Sequence, residues 1–177
     1  MTQRTDPKVI SQVTAALALA MSSVMAHADC DQLLAAKSSH QVETSLSFPS
    51  RSAENAFRKT LGEQAGLDLD EARLFFDCLK IATKRDDRNT LSRLTRYPLR
   101  VNTAKGADNI RTPTAFIKAY PSIFNQRVKA AINAQRFEDV FVSYRGIMIG
   151  NGQVWISGIT ERGRSKPTIK IISINTQ

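Results

Sequence analysis

At Gln135 the spacing of apolar residues changes. Upstream, Phe116, Ile117, Tyr120, Ile123, Phe124, Val128, Ala131 and Ile132 recur with the helical period of about 3.6 residues. Downstream, residues 140–149, 153–159 and 168–174 recur with the period of 2 that belongs to strands. Helices first and strands last make an α+β chain, and everything else in the sequence has to fit that order.

The helical part extends far towards the N-terminus. Asp31 opens a short helix, residues 38–50 form a polar loop with Pro49, and residues 52–64 place Ala53, Ala56, Phe57 and Leu61 on one face before Gly66. Asp68 starts a helix running to about Lys84, with Ala72, Phe75, Phe76, Leu79 and Ala82 inward. Asp86-Asp87 opens another short helix with Leu91 and Leu94 inward, which must stop before Pro98. A strand at Leu99-Arg100-Val101 and a turn at Lys105-Gly106 follow, and Thr112-Pro113 starts the long helix that Pro121 must kink or break.

The segment 144–156, YRGIMIGNGQVWI, holds three glycines in an apolar run. A phosphate loop joins a strand to a helix, whereas Gly150-Asn151-Gly152 joins two strands and no Walker lysine follows. Asn151-Gly152 therefore reads as the centre of a two-residue type I′ hairpin. Its register pairs Ile147 with Ile156, Met148 with Trp155 and Ile149 with Val154, leaving both faces apolar near the tip.

The first 28 residues read differently. Arg4 and Lys8 precede a short apolar run that ends in Ala26-His27-Ala28, the pattern of a Sec-type secretory signal cleaved after Ala28. No Arg-Arg pair precedes the run, and Asp29 before Cys30 does not suit a lipidation signal. Polar residues interrupt the run, so a spanning anchor is the second reading and no transmembrane segment is expected after cleavage. The expected destination is the periplasm or the exterior. In an oxidising compartment Cys30 and Cys78, the only cysteines, read as one disulfide. Two cysteines and the one mature histidine, His40, offer no metal-ligand spacing, and neither metal nor cofactor is expected.

The chain carries a formal charge of +9, and removal of Arg4, Asp6 and Lys8 leaves about +8, which favours anionic partners. Lys84, Arg85, Arg88, Arg93, Arg96 and Arg100 cluster in one span, and Arg162, Arg164, Lys166 and Lys170 form a second basic group. For any single one of them a solvated surface is the plain reading. Export sets nucleic acid aside and leaves acidic proteins or other anionic envelope components.

Helix, strand, long kinked helix and meandering strands, with Tyr97-Pro98-Leu99, Phe116-Ile117, Tyr120, Ile123-Phe124 and the segment Gly146 to Trp155, resemble exported bacterial NTF2-like (cystatin-like) domains of unassigned function. The resemblance covers about residues 86–175. It implies a curved antiparallel sheet packed on the long helix around a cone-shaped cavity, with residues 29–85 as a separate helical segment and 86–177 as the domain. Tyr97, Tyr120, Tyr144 and Trp155 are then candidate cavity residues. Such folds host isomerases and dehydratases, secretion components and binding domains. An isomerase needs a carboxylate in an apolar pocket; Glu138 and Asp139 read as exposed at a strand start, and no Ser-His-Asp grouping assembles. The sequence therefore points to a non-enzymatic binding protein, with Arg88, Arg93, Arg96, Arg100, Tyr97, Tyr144 and Trp155 as its binding residues. A cavity enzyme and a component of an envelope assembly are the competing expectations.

Overall fold

A computed structural model describes residue 30, residues 48–160, residue 163 and residues 165–177. The expected signal segment with its cleavage point, the helix opening at Asp31, His40, Arg162 and Arg164 lie outside the described residues. Among those described, five helices and six strands form a mixed α+β fold.

The helices start where the capping chemistry puts them. Helix α1 (Arg51–Thr60) is capped by the Ser50 hydroxyl, which accepts from the Ala53 N–H, and passes into a π-helical turn (Leu61–Ala65) ended by Gly66 at φ 64°. Helix α2 (Leu69–Lys84) begins at Asp68, whose carboxylate accepts from the Asp70 and Glu71 N–H groups, and buries Leu69, Ala72, Phe75, Phe76, Cys78, Leu79 and Ala82. It ends in a Schellman turn: the Asp87 N–H donates to the Ala82 carbonyl and the Asp86 N–H to that of Thr83, with Asp86 at φ 53°. Asp87 then caps α3 (Arg88–Arg93) through the Thr90 N–H.

The long kinked helix is in fact two helices. α4 (Pro113–Ile123) contains Pro121 and stops at Phe124; α5 (Gln126–Ala134) restarts at Asn125, whose side chain accepts from the Val128 N–H. Pro121 has no N–H to bond back to Ile117, and the chain breaks three residues later, where a capping asparagine is ready.

The strands are β1 (Thr95–Thr103), β2 (Gly106–Ile110), β3 (Phe141–Ser143), β4 (Gly146–Ile149), β5 (Val154–Ile159) and β6 (Thr168–Asn175). They form one sheet in the order β2-β1-β6-β5-β4-β3. Its pairs are antiparallel except β1 with β6, which run parallel, so the sheet is not wholly antiparallel. Strand β2 is a hairpin partner of β1 that apolar periodicity does not reveal: Gly106, Ala107, Asp108 and Asn109 are all exposed. The expected single strand 140–149 is also folded in two, turning at Tyr144-Arg145 between β3 and β4.

The glycine hairpin keeps the expected register, Ile147 to Ile156, Met148 to Trp155 and Ile149 to Val154. Its turn is not type I′, because positive φ falls on Gly150 (62°) and Gly152 (99°) and not on Asn151. The loop takes four residues, and two glutamines hold it: Gln135 accepts from the Gly150 N–H at 2.9 Å and Gln153 from the Asn151 N–H at 2.7 Å. These N–H groups are engaged within the protein, as befits a hairpin tip and not a phosphate loop.

One hydrophobic cluster joins α2, α3, α4 and α5 to the same side of the sheet, through Leu99, Val101, Ile147, Ile149, Val154, Ile156, Ile169, Ile171 and Ile174. Residues before 86 thus share a core with the sheet. Cys30 and Cys78, both buried, meet there: each sulfur lies near the other residue's carbonyl oxygen, at 3.3 and 3.6 Å, and the two sulfurs are close but not at disulfide distance.

Candidate functional site

The proposed binding residues are distributed over three places. Arg88 opens α3 and lays its guanidinium over the Tyr120 ring, 5.1 Å from the centroid. Lys129 lies over the same ring at 5.4 Å and pairs with Asp86 at 2.5 Å, and the buried Tyr120 donates its hydroxyl to Asp86 at 2.8 Å. The bonds from Lys129 and then Tyr120 hold the Asp86 carboxyl below its ordinary range. Burial and then the Asp86 carboxylate push the Tyr120 phenol well above its own. Arg93 donates to Thr90 Oγ1 at 2.9 Å, and its carbonyl accepts from Lys170 at 2.5 Å. Arg88 and Arg93 thus fasten α3 to its surroundings.

Arg96 and Arg100 are placed otherwise. Thr95, Leu99 and Val101 of β1 are buried while Arg96 and Arg100 are exposed. Register with Ser173 and Asn109 sets Arg100 on the outer face, and Arg96 stands on the irregular stretch before it, where the pairing with β6 shifts and Tyr97-Pro98 is cis. No described carboxylate pairs with either. Arg100 donates from Nε to Asn102 Oδ1 at 3.0 Å. Asn102 Nδ2 donates to Asn175 Oδ1 at 2.6 Å, and Asn175 Nδ2 to the Gly152 carbonyl. Register places Phe141, Met148, Trp155, Ser173, Arg100 and Asn109 in one row across this face. The strand residues sharing it include no Asp or Glu, since Asp108 pairs with the buried Val101 and so belongs to the other side.

The three aromatic binding residues do not share a cavity. Tyr97 belongs to the helix side, where its hydroxyl meets the Ser92 hydroxyl at 2.8 Å and its ring stands edge-on to Phe116. Burial raises its phenol pKa. Tyr144 is 81% exposed at the β3–β4 turn, beside the Arg145 guanidinium. Trp155 lies half-buried on the outer row, its Nε1 close to Gly152.

Glu138 also departs from expectation. Its side chain is only 9% exposed, because the turn Phe137–Asp139 tucks it against α2, where Arg73 reaches it at 3.2 Å; Asp139 stays open to solvent. Burial would raise the Glu138 carboxyl, but its own backbone N–H and Arg73 together hold it below its ordinary value. Burial raises Asp77, and Arg73, at 3.4 Å, offsets part of this. Arg73 between two carboxylates makes an ion cluster joining α2 to the turn Phe137–Asp139 that precedes β3. Sequence could not find this contact, since 65 residues separate Arg73 and Glu138.

Among the described residues no helix is long and apolar enough to cross a membrane, and no group of His, Cys, Asp or Glu has the grouping of a metal site. No family model, curated protein or solved structure matches the chain significantly.

Proposed function

We propose that this chain is an exported, non-enzymatic binding protein whose outer sheet face receives an anionic protein or envelope component. The observation that carries the reading is the pair Arg96 and Arg100, both exposed on β1, with the Arg100 face free of acidic residues among the described strands. Two guanidiniums without carboxylate partners on a chain of charge +9 attract anions and speed their encounter. The NTF2-like resemblance belongs to this proposal; the mixed fold, with helices against one side of a six-stranded sheet, supports it. Export belongs to it too, supported by the basic, apolar and A-x-A order of the first 28 residues.

The test starts with protein recovered from the periplasmic fraction, whose N-terminus should be Asp29. Retention of its envelope partner is then compared for the wild type and for Arg96→Glu with Arg100→Glu, at low and high salt. The reversal should weaken retention at least tenfold while leaving thermal stability within about 0.5 kcal/mol, because surface changes cost little. High salt should weaken the wild-type complex, since exposed charges are screened beyond about 8–10 Å. Equal retention in all four conditions would move the contact away from β1.

A further inference from the structure

The face that holds Arg100 has a graded chemistry. Along its central row, Phe141 (54% exposed), Met148 and Trp155 are apolar, Ser173 is hydroxylic, Arg100 is cationic and Asn109 is an amide. Strands stand about 4.8 Å apart, so Phe141 and Trp155 are roughly 10 Å from one another and Arg100 roughly 10 Å further on. Asn102 and Asn175 lie beside the Ser173–Arg100 end of the row. Each amide nitrogen donates one bond within the protein and keeps a second N–H. Arg100 spends Nε on Asn102, which orients its two terminal nitrogens for a bidentate contact.

This pattern discriminates among anions. A bilayer surface calls for a flat apolar or polybasic face, and here amides and a hydroxyl interrupt the row. Twist of roughly 20° per strand also turns the Phe141 end away from the Arg100 end, so a flexible chain follows the row where a flat surface does not. A linear polymer with rings, hydroxyls and anionic groups matches all three kinds of side chain. We infer that the outer face binds an anionic polysaccharide, its sugar rings lying on Trp155 and Phe141. Its hydroxyls bond Asn102, Asn175 and Asn109, and its carboxylate, sulfate or phosphate groups pair with Arg100 and Arg96. The inference rests on the reading of this face as an anion-binding surface and adds the class of ligand.

Trp155 is the only tryptophan in the chain, so intrinsic fluorescence reports from the face itself. The purified protein is titrated at low salt with polygalacturonate, its neutral methyl ester, polyglutamate of similar length, and phosphatidylglycerol vesicles. Polygalacturonate should shift the Trp155 emission and bind at least tenfold tighter than either the ester or polyglutamate. Phe141→Ser, at an exposed position whose folding is checked by thermal melting, should weaken polygalacturonate at least fivefold and leave polyglutamate unchanged. Arg100→Gln should weaken both polyanions. Equal affinity for polygalacturonate and polyglutamate, indifferent to Phe141→Ser, would overturn the polysaccharide inference and leave the anionic-partner reading standing. Preference for vesicles would overturn it in favour of lipid. Failure of polygalacturonate to bind overturns it outright, whatever the charge-reversal experiment on the envelope partner gives.

Discussion

Asp86 concentrates several roles in one side chain. Its backbone closes α2 at φ 53°, a conformation that glycine or asparagine adopts most easily, while its carboxylate takes Lys129 and the Tyr120 hydroxyl. Asp86→Gly relieves the backbone and loses the carboxylate, whereas Asp86→Ala loses the carboxylate and keeps the strain. Alanine should therefore melt below glycine, and glycine and wild type should stand closer together at acid pH than at neutrality. The sign follows from the depressed carboxyl pKa. Stability from Asp86 is fully present above the ordinary aspartate value of about 3.9 and is lost as pH falls through the lower folded value. Thermal melts of wild type and Asp86→Asn between about pH 6 and pH 2 check this, and the gap between them should close towards the acid end. Sequence shows Asp86-Asp87 as a helix opening, and Asp87 fills that role. The partners of Asp86 come from α4 and α5, 34 and more residues away, where no local pattern can point to them.

At the level of elements, the hairpin between β4 and β5 separates backbone preference from packing. A Cβ on Gly152 would meet nothing closer than 3.7 Å, so space is not the obstacle; φ of 99° is. Gly152→Val should cost about 1 kcal/mol or more, since a β-branched residue resists this conformation. Asn151→Ala should cost much less, because Asn151 does not occupy positive φ. Equal denaturation midpoints for wild type and Gly152→Val would show that the loop rearranges around the new side chain. Element order was legible wherever burial produces a period: α1, α2, α3, β5 and β6 stand close to where apolar spacing and caps put them. It was not legible for β2, whose exposed residues carry no apolar signal, nor for the Tyr144-Arg145 turn, which lacks the Asn-Gly chemistry of a marked hairpin. The parallel β1–β6 pairing is a long-range choice, which the period of a strand does not encode. At the candidate site, Arg96 and Arg100 could be named as basic residues, but separating them from Arg88 and Arg93 required knowing what packs on α3.

For the whole molecule, the question is how Cys30, which lies far before α1 in the chain, is tied to the core. Cys30 and Cys78 are 48 residues apart in sequence and both lie in the core cluster, each sulfur beside the other's carbonyl. Bond formation asks the two sulfurs to close the remaining gap, and the proposed export would supply an oxidising compartment. The proposal is that the mature protein carries this bond. Closing so long a loop restricts the unfolded chain by about 4 kcal/mol in the chain-entropy account, which for a domain of this size corresponds to roughly 10 °C in Tm. Peptide mapping of non-reduced periplasmic protein should recover a fragment linking Cys30 to Cys78. Reductant should then lower the Tm of the wild type by about that amount and leave the double variant Cys30→Ala and Cys78→Ala unmoved. The comparison uses reductant because alanine at Cys78, which is fully buried, also removes packing and lowers stability by itself. Two separately alkylated cysteines in the mapped protein, with a wild-type Tm indifferent to reductant, would leave the pair as packed thiols. Cys30 would then be held against α2 by core contacts alone.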